Sequence, residues 1–175
     1  MNGSMLIKNV EQLVTCSGFS AKKGKEMSDL HIIEDGAVII KEGVIEAVGQ
    51  TGDIEKQFKK SGADHSDFDI IDARGKAVLP GFIDSHTHLV FGGYRAEEFS
   101  WRLRGDSYME IMQRGGGIVN TVNATRQASA KELLQSGIKR LNSMLSFGVT
   151  TVEGKSGYGL DRETEIKQLE VMARL

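Results

Sequence analysis

Pro80-Gly81-Phe82-Ile83-Asp84-Ser85-His86-Thr87-His88 is the stretch on which the fold turns. An apolar run follows a Pro-Gly turn signal and ends in polar groups, the pattern of a strand whose C-terminal end reaches a site. Side chains two apart in a strand project to the same side, so His86 and His88 present both imidazoles to one face and are placed to share a metal ion. Neutral imidazole suits zinc, iron, nickel or copper, so the pair does not name the ion. A bare His-x-His is also common by chance, and two histidines of ordinary structural role are the alternative. Context separates the two. The chain continues strand, helix, strand, helix, which puts the pair at the C-terminal mouth of a first barrel strand, where barrel enzymes keep their catalytic groups.

Working forward, Ser107 with Glu110 and Ser129 with Glu132 each match a capping box, in which hydroxyl and carboxylate satisfy amides left free in a first helical turn. The second opens a helix with apolar face Leu133, Leu134, Ile138, Leu141 and Leu145, and Gly148 sits where a C-terminal glycine stop belongs. Val149-Thr150-Thr151-Val152-Glu153 reads as a strand. A glycine-rich loop over 154–159 follows, then a helix from near Asp161 with Ile166, Leu169, Met172 and Leu175 on one stripe. Only about two parallel βα units are present, whereas a closed (βα)8 barrel takes roughly 250 residues. The pattern reaches Leu175 inside a helix without a stop signal, so the expectation is a truncated chain or one segment of a protein completed by another.

Working backward, residues 5–79 show short β-branched runs separated by turn residues: Leu6-Ile7 with Val10, Leu13-Val14, Ala37-Val38-Ile39-Ile40, Val44-Ile45-Glu46-Ala47-Val48, Ile70-Ile71 and Ala77-Val78-Leu79. These predict a small sheet or sandwich, with a hairpin at Lys41-Glu42-Gly43. Residues 17–34 and 59–67 read as polar surface loops that put His31 and His65 in solvent. Residues 51–60 read as a short helix capped by Thr51, with Ile54 and Phe58 buried. The fold class is therefore α/β. Residues 1–79 form part of a small β-sandwich, the first few being an expression scar or an upstream start, and residues 80–175 form the first βα units of an incomplete TIM-type barrel.

Composition narrows the function. Among 175 residues, 22 basic and 24 acidic side chains leave a formal net charge of -2, which gives no electrostatic reason for a nucleic-acid or anionic-membrane partner. A small-molecule substrate fits better. Apolar runs such as residues 77–83 fall far short of the ~20 residues of a membrane span, and Lys8 interrupts Met5-Leu6-Ile7 before any secretory h-region forms. A single cysteine, Cys16, forms no internal disulfide and points to a reducing cytoplasm. With 21 glycines against one proline, the clusters at 92–93, 115–117 and 154–159 suit loops that bring backbone close to a ligand.

These residues resemble the amidohydrolase superfamily, whose first barrel strand ends in His-x-His after a Pro-Gly-hydrophobic-hydrophobic-Asp lead and whose barrel is joined to a small β-sandwich. Within it, the chain is similar to the imidazolonepropionase family. The match is carried by His86-Thr87-His88-Leu89-Val90-Phe91-Gly92-Gly93 with Arg95, by Ser107-Tyr108-Met109-Glu110-Ile111-Met112 with Gly115-Gly116-Gly117-Ile118, and by Val149-Thr150-Thr151-Val152-Glu153 with Lys155-Ser156-Gly157-Tyr158-Gly159-Leu160. It is dense after Pro80 and loose before it.

The resemblance implies hydrolysis of the lactam bond of 4-imidazolone-5-propanoate to N-formimidoyl-L-glutamate in histidine breakdown, with a metal-activated water as nucleophile. It implies His86 and His88 as ligands of one divalent or trivalent ion, zinc or iron. Arg95 matches the arginine that holds the substrate's carboxylate tail, Tyr158 a substrate-contacting tyrosine, and Tyr108 a further pocket residue. A solvated loop charge at Arg95 and a rim aromatic at Tyr158 are the plain alternatives. Asp84 and Glu153 are candidates to orient a histidine or merely to cap a turn, and Lys155 is assigned to loop electrostatics rather than to a metal bridge. The third ligand and the general acid/base are expected beyond Leu175. The segment alone is therefore expected to bind metal weakly and not to turn over, and the full-length family member to be a homodimer. A hydrolase for another cyclic amide, and a catalytically inactive truncated scaffold, are the competing readings.

Overall fold

The first strand, β1 (Ser4–Val14), is a single run of 11 residues rather than separate short pieces, and it buries Leu6, Val10 and Leu13. It pairs antiparallel with β2 (Ile32–Lys41), with an irregularity between Ile7 and Val10 where β1 carries an extra residue. Asn9 occupies that bulge at φ 56, a conformation whose cost is offset by two hydrogen bonds. Its amide N–H donates to Thr51 Oγ1, and its side chain donates to Asp72 Oδ1, each at 3.1 Å. The computed structural model from which these observations come describes residues 3–60, 62 and 65–175, for residue 65 the backbone alone.

Strand β2 turns into β3 (Val44–Gln50) through Glu42 and Gly43, both left-handed at φ 50 and 78. That two-residue turn matches the right-handed twist of the flanking strands. The helix α1 (Thr51–Lys60) buries Ile54 and Phe58, as its periodicity predicts. Phe58 meets Phe68 edge-on at 4.9 Å in a cluster with Leu6, Ala37 and Ile39. Two parallel strands, β4 (Asp69–Asp72) and β5 (Ala77–Val78), then add to β1.

The strands join one sheet, ordered β3-β2-β1-β4 with β5 also on β1, as expected of a small sheet. Two expectations change here. The loop expected over 17–34 ends earlier, because Ile32 already pairs with Val14. Thr51 does not serve as a simple helix cap. Its hydroxyl donates to the Gly36 carbonyl at 3.1 Å and accepts from Asn9, tying the helix start to β2 and β1. His31 is exposed as predicted, while the side chain of His65 lies outside the described residues.

Chain contacts divide at Pro80, with Met1–Pro80 and Gly81–Leu175 each forming its own unit. The second begins with β6 (Phe82–Thr87), followed by α2 (Ala96–Leu103), α3 (Tyr108–Gln113), α4 (Ile118–Gln127) and α5 (Ala130–Ser146). Strand β7 (Val149–Gly154) returns parallel to β6, and α6 (Arg162–Ala173) closes the segment. Both capping boxes form in full at Ser107/Glu110 and Ser129/Glu132. Gly148 takes φ 85 just past α5, and the Asp161 carboxylate accepts from the Thr164 amide at the start of α6.

The core of this unit is Leu89, Val90, Leu133 and Val171. Periodicity overstates what the helices bury. On α5, Ile138 and Leu145 stay 46% and 59% exposed, and on α6 the buried face is Thr164, Gln168 and Val171 rather than the predicted Ile166–Leu169 stripe. A two-stranded parallel sheet leaves apolar surface uncovered, and Phe82 and Ile83 are 53% and 71% exposed. No helix among the described residues is long and apolar enough to cross a membrane.

Candidate functional site

The ladder between β6 and β7 is regular only in part. Phe82 pairs with Val149, Ile83 with Thr151, Asp84 with Val152 and Thr87 with Gly154, so the register shifts between Asp84 and Thr87. The shift falls on Ser85 and His86. Beyond it the ladder is closed by Lys155, whose amide donates to the Thr87 carbonyl at 2.8 Å. His86 and His88 therefore flank the last paired residue of the strand. Their rings stand 5.4 Å apart, centre to centre, at 62°.

Tyr158, from the loop after β7, lies 5.1 Å from the His88 ring, and Phe91 meets Tyr158 at 5.7 Å. His86, His88 and Tyr158 thus form one cluster at the C-terminal ends of the two strands. Gly157 makes that approach possible. At φ +140 it holds a backbone shape that side-chain-bearing residues rarely adopt, and a Cβ there would sit 3.0 Å from His88 Cε1. The loop over 157–160 is anchored from the helices. Arg126 donates through Nε to the Gly159 carbonyl at 2.7 Å and pairs with Asp161, while Glu165 accepts the Gly159 and Leu160 amides at 2.7 and 2.8 Å. Burial pushes the Glu165 carboxyl up, but hydrogen bonds from Ser156 and from the Leu160, Gly159 and Gly157 amides outweigh it and hold the group below the usual glutamate value.

Arg95 and Tyr108 sit on a neighbouring part of the unit. Arg95 is the residue before α2 and points its guanidinium at Glu98, 3.7 Å away. Glu98 is buried at 5% exposure and accepts the Gly117 amide at 2.8 Å. Tyr108 begins α3 with its ring half exposed, its hydroxyl 3.6 Å from where a Gly117 Cβ would be. Through Glu98 and Gly117 the two candidates belong to one local network, which the His86–His88–Tyr158 cluster does not include.

Two second-rank candidates resolve differently. Asp84 accepts from the backbone amide of His86 at 3.1 Å, so it shapes the strand end and does not orient a ring. Glu153 pairs with Lys155, whose hydrogen bond and charge draw its carboxyl below the ordinary glutamate value. Lys155 is thus engaged in a local ion pair. Sequence reasoning passed over Glu98, Arg126 and Glu165, since charged residues on amphipathic helices carry no signal that separates a loop anchor from a solvated face.

The pair fits a metal ion in chemistry and spacing. Imidazole nitrogens bind such ions at about 2.0–2.1 Å, and two rings this close can reach one ion between them. His88 Nδ1 is buried without a hydrogen-bond partner among the described residues, the state of a nitrogen awaiting a ligand or an acceptor. Two donors do not make a complete site. No group of three or more His, Cys, Asp or Glu converges among the described residues, whereas a catalytic zinc takes three protein ligands and an open position.

Parallel βα units with paired histidines at the strand ends define the class, and comparison with known proteins agrees. A family model described as Amidohydrolase family matches residues 69–129. Among solved structures, E. coli guanine deaminase aligns over 98% of this chain and 33% of its own length with a TM-score of 0.54 at 19% identity. A. niger ochratoxinase aligns over 89% of this chain and 26% of its own with a TM-score of 0.53 at 17% identity. Such distant likeness speaks for the fold alone. Over residues 69–129 the chain is similar to the amidohydrolase family.

Within that family its similarity is to imidazolonepropionases. It is 58% identical to "Imidazolonepropionase" of Clostridium tetani over 99% of this chain, and 57% identical to the protein so named in Parabacteroides distasonis over 99% of this chain. The same name attaches to a Porphyromonas gingivalis relative at 52% identity over 98% of this chain. The chain spans about 40% of the length of these relatives.

Proposed function

We propose that this chain supplies the first metal-binding strand and part of the substrate pocket of a hydrolase that opens the lactam ring of 4-imidazolone-5-propanoate. The product is N-formimidoyl-L-glutamate, and the reaction serves histidine degradation in the cytoplasm. The observation that carries the reading is the close His86–His88 pair with Tyr158 packed on His88, in a sequence whose relatives bear the imidazolonepropionase name.

Each group has a part. His86 and His88 would hold the ion, zinc or iron. When bound, that ion supplies the Lewis acidity that makes water a nucleophile near neutral pH. Tyr158 packs on the His88 ring and is backed by Phe91, and it would give a flat substrate ring an aromatic surface to lie on. Arg95, which pairs with the buried Glu98, would hold the propanoate tail through paired N–H donors. Tyr108, close to Gly117 in the network of Arg95 and Glu98, would add a further substrate contact. The remaining ligand and the general acid/base come from sequence beyond Leu175. The full-length protein pairs with itself and uses neither nucleic acid nor membrane as partner.

The test is turnover by the full-length polypeptide that the gene encodes. It should hydrolyse 4-imidazolone-5-propanoate in preference to other lactams, lose activity to a chelator and regain it with zinc or iron. Arg95→Met should raise KM for this substrate far more than it lowers kcat. Preference for a lactam lacking a carboxylate, or an unchanged KM in the Met variant, would overturn the assignment of substrate. Ordinary turnover by residues 1–175 alone would overturn the placement of the missing groups.

A further inference from the structure

Residues 88–95 lie in neither strand nor helix, yet the backbone just after His88 is among the most deeply buried in its unit, with Leu89 and Val90 at 4% and 0% exposure. Buried carbonyls need donors, and here three successive ones are met by side chains from outer helices. Arg140 of α5 donates through Nη1 to the Leu89 and Phe91 carbonyls at 2.9 and 3.1 Å. Gln168 of α6, itself fully buried, donates to the intervening Val90 carbonyl at 2.6 Å. The Gly92 amide is taken up by Thr125 Oγ1 of α4 at 3.0 Å.

Arg140 does more than donate. Its guanidinium stacks 3.6 Å over the Phe91 ring, with Tyr94 at 5.6 Å. Partial burial draws its pKa below the usual arginine value, and Tyr94 partly opposes this. A half-buried cation clamping two carbonyls and an aromatic face leaves little freedom to what it holds. What it holds is the segment that sets both His88, at its start, and Phe91, which touches Tyr158.

We propose that Arg140 and Gln168 are positioning residues for the metal site: they lock the strap after His88 so that its imidazole stays beside His86 and under Tyr158. This rests on the metal-hydrolase reading above and extends it to two residues on outer helices with no contact to the ion. Partners that orient ligand histidines typically change metal affinity by about 10–100-fold when removed.

The experiment compares Arg140→Met and Gln168→Leu with Ile54→Ala, a cavity in the cluster under α1, all in the full-length polypeptide. Zinc affinity is measured by competition with a chromophoric chelator, stability by urea unfolding, and deuterium uptake over residues 88–93 in the metal-free protein. Both strap variants should lose at least about 10-fold in zinc affinity and gain uptake over the strap, while Ile54→Ala loses stability and keeps its zinc affinity. If a strap variant does not fold, Arg140→Lys and Gln168→Glu enter the same assays with the same expectation. Zinc affinity within about twofold of the parent in variants that fold would show a merely structural role and overturn the proposal. An unaltered parent that binds neither zinc nor iron would instead overturn the metal-hydrolase reading, and this inference with it.

Discussion

Replacing Gly157 by alanine separates backbone strain from a direct push on the candidate ligand. At φ +140 an alanine pays a conformational penalty of about 1–3 kcal/mol wherever it is placed. It also brings a Cβ to 3.0 Å from His88 Cε1 and 3.4 Å from Nδ1. Carbon atoms settle at about 3.5–4.0 Å, so the ring must yield by roughly 0.5 Å. Gly105 is the matched control, at φ +94 with nothing within 4 Å of its would-be Cβ. Gly105→Ala should therefore lose stability by about 1–3 kcal/mol in urea unfolding and keep its zinc affinity. Gly157→Ala should lose a similar amount and also about 10-fold in zinc affinity, since the ring of the proposed ligand His88 is displaced. Equal zinc affinity in the two variants would refute the claim that this loop bears on the His88 ring.

Other expectations are equally direct. Leu133→Ala, at 1% exposure in the core of the second unit, should cost about 2–5 kcal/mol in chemical unfolding, and a loss under about 1 kcal/mol would mean the site collapses without a cavity. Ser129→Ala removes the hydroxyl half of a complete capping box and should lower stability by about 1 kcal/mol, read from the urea midpoint. Asp72 has its carboxyl lowered from 3.8 to about 2 by the Arg74 side chain first and Asn9 next. A depressed carboxylate stabilises the fold above its unfolded value, and that contribution is lost as pH falls toward about 2. Asp72→Asn should thus flatten the acid limb of the stability profile between about pH 4 and pH 2, measured by urea midpoints across that range. Glu165→Leu should raise deuterium uptake over residues 157–160, because two short amide hydrogen bonds then lose their acceptor.

Elements whose signal is local were legible in the sequence. Capping boxes at Ser107 and Ser129, the stop at Gly148 and the start of α6 at Asp161 depend on residues within one turn of each other, and each forms where the letters place it. What depends on distant partners was not legible. The bulge at Asn9 exists because Thr51 and Asp72, 42 and 63 residues away, receive its two N–H groups. The apolar stripe on α6 fails for a related reason. Gln168 and Thr164 occupy the inward face because loop carbonyls and the Asp161 carboxylate there need donors, a demand invisible in a hydropathy period. Within the site, the pairing of His86 with His88 follows from strand geometry, while the arrival of Tyr158 beside them requires the parallel pairing of β6 with β7.

One consequence of α6 concerns motion. The same helix grips the strap after His88 through Gln168 and the Tyr158 loop through Glu165. A displacement of α6 therefore reaches both segments at once, so neither side of the aromatic cluster is held by its own strand alone.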